Sequence, residues 1–346
     1  MRIQNKKRII CVLLTLGLLA TGTAGCGQKK EDSGKETAGV KVENGELTPD
    51  SVVMTVGSET ITYQQMKVYT YILQSMYKDT YGKKLWDYPI SDEGTLGDYA
   101  REELVNLVTQ IKIIGLQAAE EDIILDNDEK TEISGNAQTL FSDISSKNIE
   151  KYGLTLENLE KVLQENALAN KMFYLSTAEV DTVVSDEDAA QVKIQFIEVI
   201  TNGTNRNGKE IQMSEKEKDS AYKRIKRMKK QAMAADSFFT FANENSDRGE
   251  AEVTLGRDSE EFEQIFIQQA FSLKTGEFSK ILEGEEGFYL LYCVSDYDEE
   301  ATQAKKEEII AAEENELFKE KYASWLDKYE VNISNSYWEE EDYGGL

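Results

Sequence analysis

Apolar and polar positions change rhythm several times along the chain, and each change marks a boundary. Residues 1–8 are polar and basic, and IICVLLTLGLLATG at 9–22 is an apolar run too short for a comfortable membrane span. Residues 27–50 are polar and rich in Gly, Lys and Glu, which predicts a flexible tether over 26–50. SVVMTVGSETIT then reads as two short strands about Gly57 and Ser58. Thr62 followed by Gln65 is a capping-box pair and predicts a helix over 63–81. GKKLWDYPISDEGTLGD reads as a loop. From Tyr99 a helical face runs through Ala100, Leu104, Leu107, Val108, Ile111, Ile114 and Ala118. Another helix opens near Asn127, and a further amphipathic one is capped by Thr155. Residues 60–178 therefore read as helical hairpins, and 183–190 as a junction.

The period then shortens. VKIQFIEVI at 192–200 is β-rich, NGTNRNGKEIQ reads as a loop, and residues 214–236 form a helix with a basic stripe. SFFTFANEN is a short helix, EVTLG a strand, and EEFEQIFIQQAF a helix on which Phe262 and Phe266 stand four apart. GEFSKIL and GFYLLYCV complete an order β-α-α-β-α-β-β over 191–294. A long helix, about 300–327, returns with Ile310, Leu317, Phe318, Tyr322 and Trp325 on one face, and YEVNIS closes as a strand. This last helix and strand have no neighbours of their own in sequence, so they are expected to pack back on the N-terminal helices. The expected fold class is α+β. A helical domain from segments 51–184 and 299–338 carries an inserted module at 191–296, with an acidic tail at 339–346.

Composition narrows the chemistry. The formal net charge is −26, so phosphate backbones are repelled and nucleic acid is not an expected partner. The chain has no histidine, and its cysteines are Cys11, Cys26 and Cys293. It therefore offers no Cys/His metal cluster and no Ser-His-Asp arrangement, and neither metal nor cofactor is expected. The basic start, the apolar run and TAGC resemble a lipoprotein signal, with Thr23 where Leu is usual. That resemblance implies removal of residues 1–25, a lipid anchor on Cys26, and an extracytoplasmic position at the cell membrane. Cys293 would then be the remaining thiol, with no internal disulfide.

The module at 191–296 carries a second resemblance. AFSLKTGEFSKILEGEEGFYLLYCV resembles the end of a parvulin-type peptidyl-prolyl isomerase domain, which reads F-x-L-x-x-G-E-x-S and then G-[YF]-H before an apolar strand. Upstream, VKIQFIEVI stands where the family has a His-Ile-Leu run. FFTFANENSD matches D-F-x-x-x-A-x-x-x-S, and EVTLG keeps Leu255 and Gly256 of the G-D-L-G strand. VMTVGSETITYQQM resembles the opening of extracytoplasmic foldases of the PrsA and SurA type. The resemblance implies an active cleft with two histidines, which here fall on Phe196 and Tyr289. It places the family's acidic residue close to Asp247 and its proline pocket on Phe262 and Phe266 with Leu255 beside them. Asp247 and Tyr289 are thus the candidate catalytic residues, and Phe196, Leu255, Phe262 and Phe266 the candidate substrate-binding ones. Each has a plainer reading. The phenylalanine pair could be core, Asp247 after Ser246 a helix-ending turn, and Phe196 and Tyr289 sheet packing. Glu283, Glu285 and Glu286 read as a solvated loop.

Rotation about an X-Pro bond crosses a barrier near 20 kcal/mol without bond making or proton transfer. An apolar pocket can desolvate the twisted amide, but steering its polar ends needs hydrogen-bonding groups. Phe196 has none and Tyr289 has one hydroxyl. The expectation is therefore a membrane-anchored foldase or holdase that binds unfolded exported proteins, with weak or absent isomerase activity. A second copy of the chain is a further candidate partner. The competing readings are an active prolyl isomerase and a solute-binding or envelope-structural lipoprotein.

Overall fold

The computed structural model describes residues 41–81, 86–91 and 94–339. The signal segment, Cys26, the first part of the tether and the tail from residue 340 lie outside the described residues. No helix among the described residues is long and apolar enough to cross a membrane. The chain divides into two compact units, one running up to Glu179 and resuming at Asn315, the other Val180–Glu314.

The first unit begins with strands β1 (Val52–Val56) and β2 (Glu59–Thr62) and helix α1 (Tyr63–Tyr81). The expected capping box is present: the Thr62 N–H donates to Gln65 Oε1 at 3.0 Å and the Gln65 N–H to Thr62 Oγ1 at 3.3 Å. Short strands β3 (Pro89–Ser91) and β4 (Gly94–Thr95) pair within the stretch expected to be a loop. Helix α2 (Leu96–Glu120) starts three residues before the expected Tyr99. Thr95 and Asp98 form its capping box, with an Asp doing what Glu or Gln more often does. Helices α3 (Asn127–Asp143), α4 (Ser146–Tyr152) and α5 (Leu156–Ser176) follow. Helix α10 (Glu299–Leu326) contains the division between the units, and its later part brings Phe318 and Trp325 into this core. Strand β11 (Val331–Ile333) pairs antiparallel with β1, so β1 is central in the order β11-β1-β2. A short helix, α11 (Asn335–Trp338), ends the described chain.

The apolar face of α2 is buried as its spacing requires, with Leu104, Val108, Ile111 and Ile114 at 2% exposure or less. One charged pair is buried with it. Lys112 Nζ meets Glu165 Oε1 at 2.5 Å, and the Tyr69 hydroxyl donates to Glu165 Oε2 at 2.6 Å. Burial first, then the adjoining carboxylate, pushes the Tyr69 phenol well above its ordinary range. The three groups satisfy one another, with Tyr69 and Lys112 buried and Glu165 one-fifth exposed.

The second unit starts with helix α6 (Asp186–Ala189) and is built on a four-stranded antiparallel sheet of order β8-β5-β10-β9. Its strands are β5 (Val192–Ile200), β8 (Glu252–Leu255), β9 (Leu282–Glu283) and β10 (Gly287–Ser295). Both faces are covered, which is why β5 and β10 read as near-continuous apolar runs. Ile197, Val199, Phe288 and Leu290 face helices α7 (Glu215–Ala232) and α8 (Phe238–Asn245). Ile194, Phe196, Tyr289 and Leu291 face helix α9 (Gln264–Ser272) and the segment leading into it.

Two expectations are corrected here. NGTNRNGKEIQ is a hairpin of β6 (Asn202–Thr204) and β7 (Glu210–Gln212), not a loop. The Asn205 side chain accepts the Asn207 and Lys209 N–H groups, and Gly208 takes φ +73°. Phe262 does not lie on a helix with Phe266, because α9 begins only at Gln264. Glu263, at its N-cap, keeps an extended ψ of 149°, and its side chain is held elsewhere.

Candidate functional site

Strand register sets the site. In β5 and β10, Tyr289 stands directly opposite Glu198, and Phe196 opposite Leu291. Phe196 and Tyr289 are therefore diagonal neighbours on one face, where side chains of this size interact. The Phe196 ring meets Phe262 and Phe266 edge-on, each at 5.3 Å between centroids, and those two stack on each other at 4.2 Å. Tyr289 meets Phe266 edge-on at 5.6 Å. Leu255, at the end of β8, belongs to the same cluster. Phe196 and Phe266 are fully buried and Phe262 is 7% exposed. The five apolar and aromatic candidates are thus brought together, but as a closed cluster. A ligand ring would have to displace Phe262 to enter.

Asp247 is placed with other partners. It follows Ser246, the C-cap of α8. Its carboxylate receives Arg224 Nη1 at 2.7 and 2.8 Å and the Ile200 N–H at 3.2 Å. Its own N–H donates to the Glu198 carbonyl at 2.8 Å. Asp247 therefore fastens α7 and α8 to β5, whereas the Tyr289 hydroxyl donates to Glu263 Oε1 at 2.7 Å.

Three polar residues that the sequence reading did not single out complete the site. Glu198 is 2% exposed, and its Oε2 has no hydrogen-bond partner among the described residues. Burial pushes its carboxyl up to about 7, against the opposing pull of Arg248 and of the Tyr289 hydroxyl. Glu263 has the opposite fate. Burial would raise it, but the N–H groups of Glu285 (2.6 Å) and Glu286 (3.0 Å) and the Tyr289 hydroxyl outweigh that and hold it below its usual range. Gly284 lets the β9–β10 turn close over this carboxylate; a Cβ there would overlap it. Arg248 lies over the Phe262 ring at 4.4 Å, binds Glu261 at 2.7 Å, and stands 3.8 Å from Glu198 Oε2. Burial, then Glu198, pushes the Tyr289 phenol far above its ordinary range, so it remains a donor.

The arrangement thus sets a carboxyl pushed up to about 7, Glu198, beside a carboxylate held low, Glu263, which accepts the Tyr289 hydroxyl. Two titratable groups pushed apart in this way can divide donor and acceptor roles. The recess of about 500 Å³ beside them is lined by Glu263, Gln264, Ile265, Glu283, Gly284 and Glu285, mostly polar groups rather than a wall for a prolyl ring. Glu198 had a visible signal, a charged residue on the buried side of the series Val192, Ile194, Phe196. Glu263 had none, since its role depends on a turn more than 20 residues away.

Among solved structures, the chain is similar to the foldase protein PrsA from Lactococcus lactis, at 17% identity over 83% of this chain and 96% of that one, with a TM-score of 0.34. It is also similar to the peptidylprolyl isomerase PrsA from Bacillus cereus, at 14% identity over 81% and 92%, TM-score 0.32. A third similarity is to a structure reported under SurA-like chaperones of Campylobacter jejuni, at 11% identity over 82% and 98%, TM-score 0.29. No curated protein sequence matches the chain. Residues 204–295 match the family model of the rotamase, or PPIC-type PPIASE, domain. That span holds Asp247, Leu255, Phe262, Glu263, Phe266 and Tyr289 and starts just after the strand bearing Phe196 and Glu198. The second unit therefore contains a PPIC-type rotamase domain.

Proposed function

We propose that the protein is a membrane-tethered extracytoplasmic foldase and holdase that binds unfolded exported polypeptides and turns prolyl bonds weakly or not at all. The observation that supports this reading most is the closed state of the rotamase cluster. Phe196 fills the space against Phe262 and Phe266, and the Tyr289 hydroxyl is already given to Glu263. A domain that must desolvate and steer a twisted amide needs an open apolar wall beside a free donor. Binding of an unfolded chain makes neither demand. The anchor would be lipid on Cys26, and the strong net negative charge would oppose aggregation among molecules of the same kind.

An active prolyl isomerase is the competing reading, and one observation favours it. The buried Glu198 carboxyl has an unused oxygen beside Tyr289, and in its protonated form it can donate to an amide. Measuring prolyl exchange and aggregation suppression on the same full-length sample separates the two. Suppression with slow exchange supports the foldase reading, and fast exchange lost in Glu198→Leu, which removes the donor, supports the isomerase.

A further inference from the structure

Helix α7 carries a row of cations that neither the fold nor the rotamase site uses. Between Ser220 and Ala235 the chain has six basic residues and no acid, in a protein of net charge −26. Two of the six are structural. Arg224 holds Asp247 at 2.7 Å, and Lys229 Nζ donates to the Ser279 carbonyl at 2.6 Å. The other four, Lys223, Lys226, Arg227 and Lys230, are exposed and make no ion pair among the described residues. Like charges three and four residues apart on a helix repel, and Lys223–Lys226, Lys223–Arg227, Lys226–Lys230 and Arg227–Lys230 are all such pairs. The row therefore weakens the helix that bears it, although the chain has 65 acidic residues that could have been interleaved. Such a row points to a partner outside the fold.

Helical spacing says what kind. The four cations fall within about 100° of arc, and Lys216, also exposed and without an ion pair among the described residues, falls inside the same arc. Asp219 is the one acid within it. The buried residues Ala221, Ile225, Met228 and Ala232 occupy the opposite side and pack on the sheet. From Lys216 to Lys230 the face is about 21 Å long, too long for one phosphate group and suited to a surface that offers many. Tyr222 and Met233, 42% and 58% exposed, stand along its Lys226 edge. Tyrosine, with an apolar ring and a polar tip, favours the headgroup level of a membrane. Because the apolar side of α7 is already taken by the sheet, the helix cannot sink among acyl chains, and its contact with lipid is electrostatic and peripheral.

We infer that this face of α7 docks the second unit on an anionic phospholipid surface. The inference rests on the tethered reading above, since a lipid on Cys26 would keep the chain at a membrane, and it adds a second, reversible contact. Each cation near such a surface strengthens partitioning about fivefold, and only within a Debye length of roughly 8 Å. The chain as a whole is acidic and repelled, so the row also sets which way the unit faces.

The test uses the chain from residue 27 onward, without lipid or apolar leader, which contains every described residue. It is sedimented with vesicles of phosphatidylglycerol or of phosphatidylcholine at low and at physiological salt. Binding to phosphatidylglycerol should be at least about tenfold tighter and should fall with salt. The variant Lys223→Gln, Lys226→Gln, Arg227→Gln, Lys230→Gln should weaken that binding about tenfold or more. The variant Lys147→Gln, Lys161→Gln, Lys274→Gln, Lys319→Gln removes the same charge from exposed positions elsewhere and should change it less than about twofold. All eight positions are exposed, so both variants should keep the parent's circular dichroism. Equal affinity for the two lipids, or equal loss in the two variants, would overturn the inference. Soluble polyglutamate held as tightly as the vesicles, and released by the first variant alone, would assign the row to an acidic polypeptide and overturn it as well. Because this chain carries no lipid, failure here leaves anchoring at Cys26 standing, and failure of anchoring leaves vesicle binding to be read by itself.

Discussion

The carboxyl at Glu198 occupies a position that the alternation of β5 reserves for an apolar side chain, and its energetics follow from that. Its folded value of about 7 lies above the ordinary 4.5. Between those values the folded state keeps a proton that the unfolded state has released, so stability falls as pH rises through this window and levels off above it. The loss is about 3 kcal/mol. Hydrogen exchange of the β5 amides at pH 5 and pH 8 should show it, and Glu198→Gln should flatten the difference. An unchanged slope in the variant would show that the carboxyl is not the source.

Phe266 makes a separate residue-level case. It is fully buried and touches three aromatic rings, so Phe266→Ala should destabilise the second unit by roughly 3–5 kcal/mol, read by denaturant titration. A loss below about 1 kcal/mol would mean that the cluster is loose enough to open for a ligand. The motifs put Phe196 and Tyr289 at the family's histidine positions and Leu255, Phe262 and Phe266 in its proline pocket. What the motifs did not convey was that the rings close on one another. Closure depends on the extended backbone at Glu263, which sets Phe262 off the helix.

Most elements followed from local signals. Thr62 and Thr155 cap helices as their sequences indicate, and Gly57 turns one strand into the next at φ +54°. The hairpin at 202–212 was missed because its strands are three residues each and polar, so no alternation marks them. The start of α2 was missed because its cap pairs Thr with Asp rather than Glu or Gln. The packing of α1, α2 and α5 offers a test at this scale. Glu165 joins Tyr69 on α1 to Lys112 on α2, so Glu165→Ala strands a lysine at 5% exposure and should cost about 3–5 kcal/mol. The triple variant Tyr69→Phe, Lys112→Met, Glu165→Leu, which leaves no buried polar group unpaired, should recover most of that loss in thermal unfolding. A triple variant as unstable as the single one would show that the charges stabilise beyond satisfying each other.

At the scale of the whole molecule, the two units divide the work in the proposed function. The first unit would hold the unfolded client, and the second carries a rotamase domain with a filled centre. The proposed attachment rests on Cys26, which lies outside the described residues. Cys26→Ala should move the protein from the membrane fraction to the soluble one, and retention of the variant without any lipid label would refute lipid anchoring.

The decisive experiment places full-length protein, a proline-containing peptide and an aggregation-prone unfolded client in one sample, with cis–trans exchange read by NMR and client solubility by light scattering. The expected result is a soluble client together with prolyl exchange at least about tenfold slower than a histidine-bearing rotamase domain supports, a difference of about 1.4 kcal/mol or more in barrier. Exchange as fast as that domain's, abolished by Glu198→Leu and by Tyr289→Phe, would contradict it and make the closed cluster an active site.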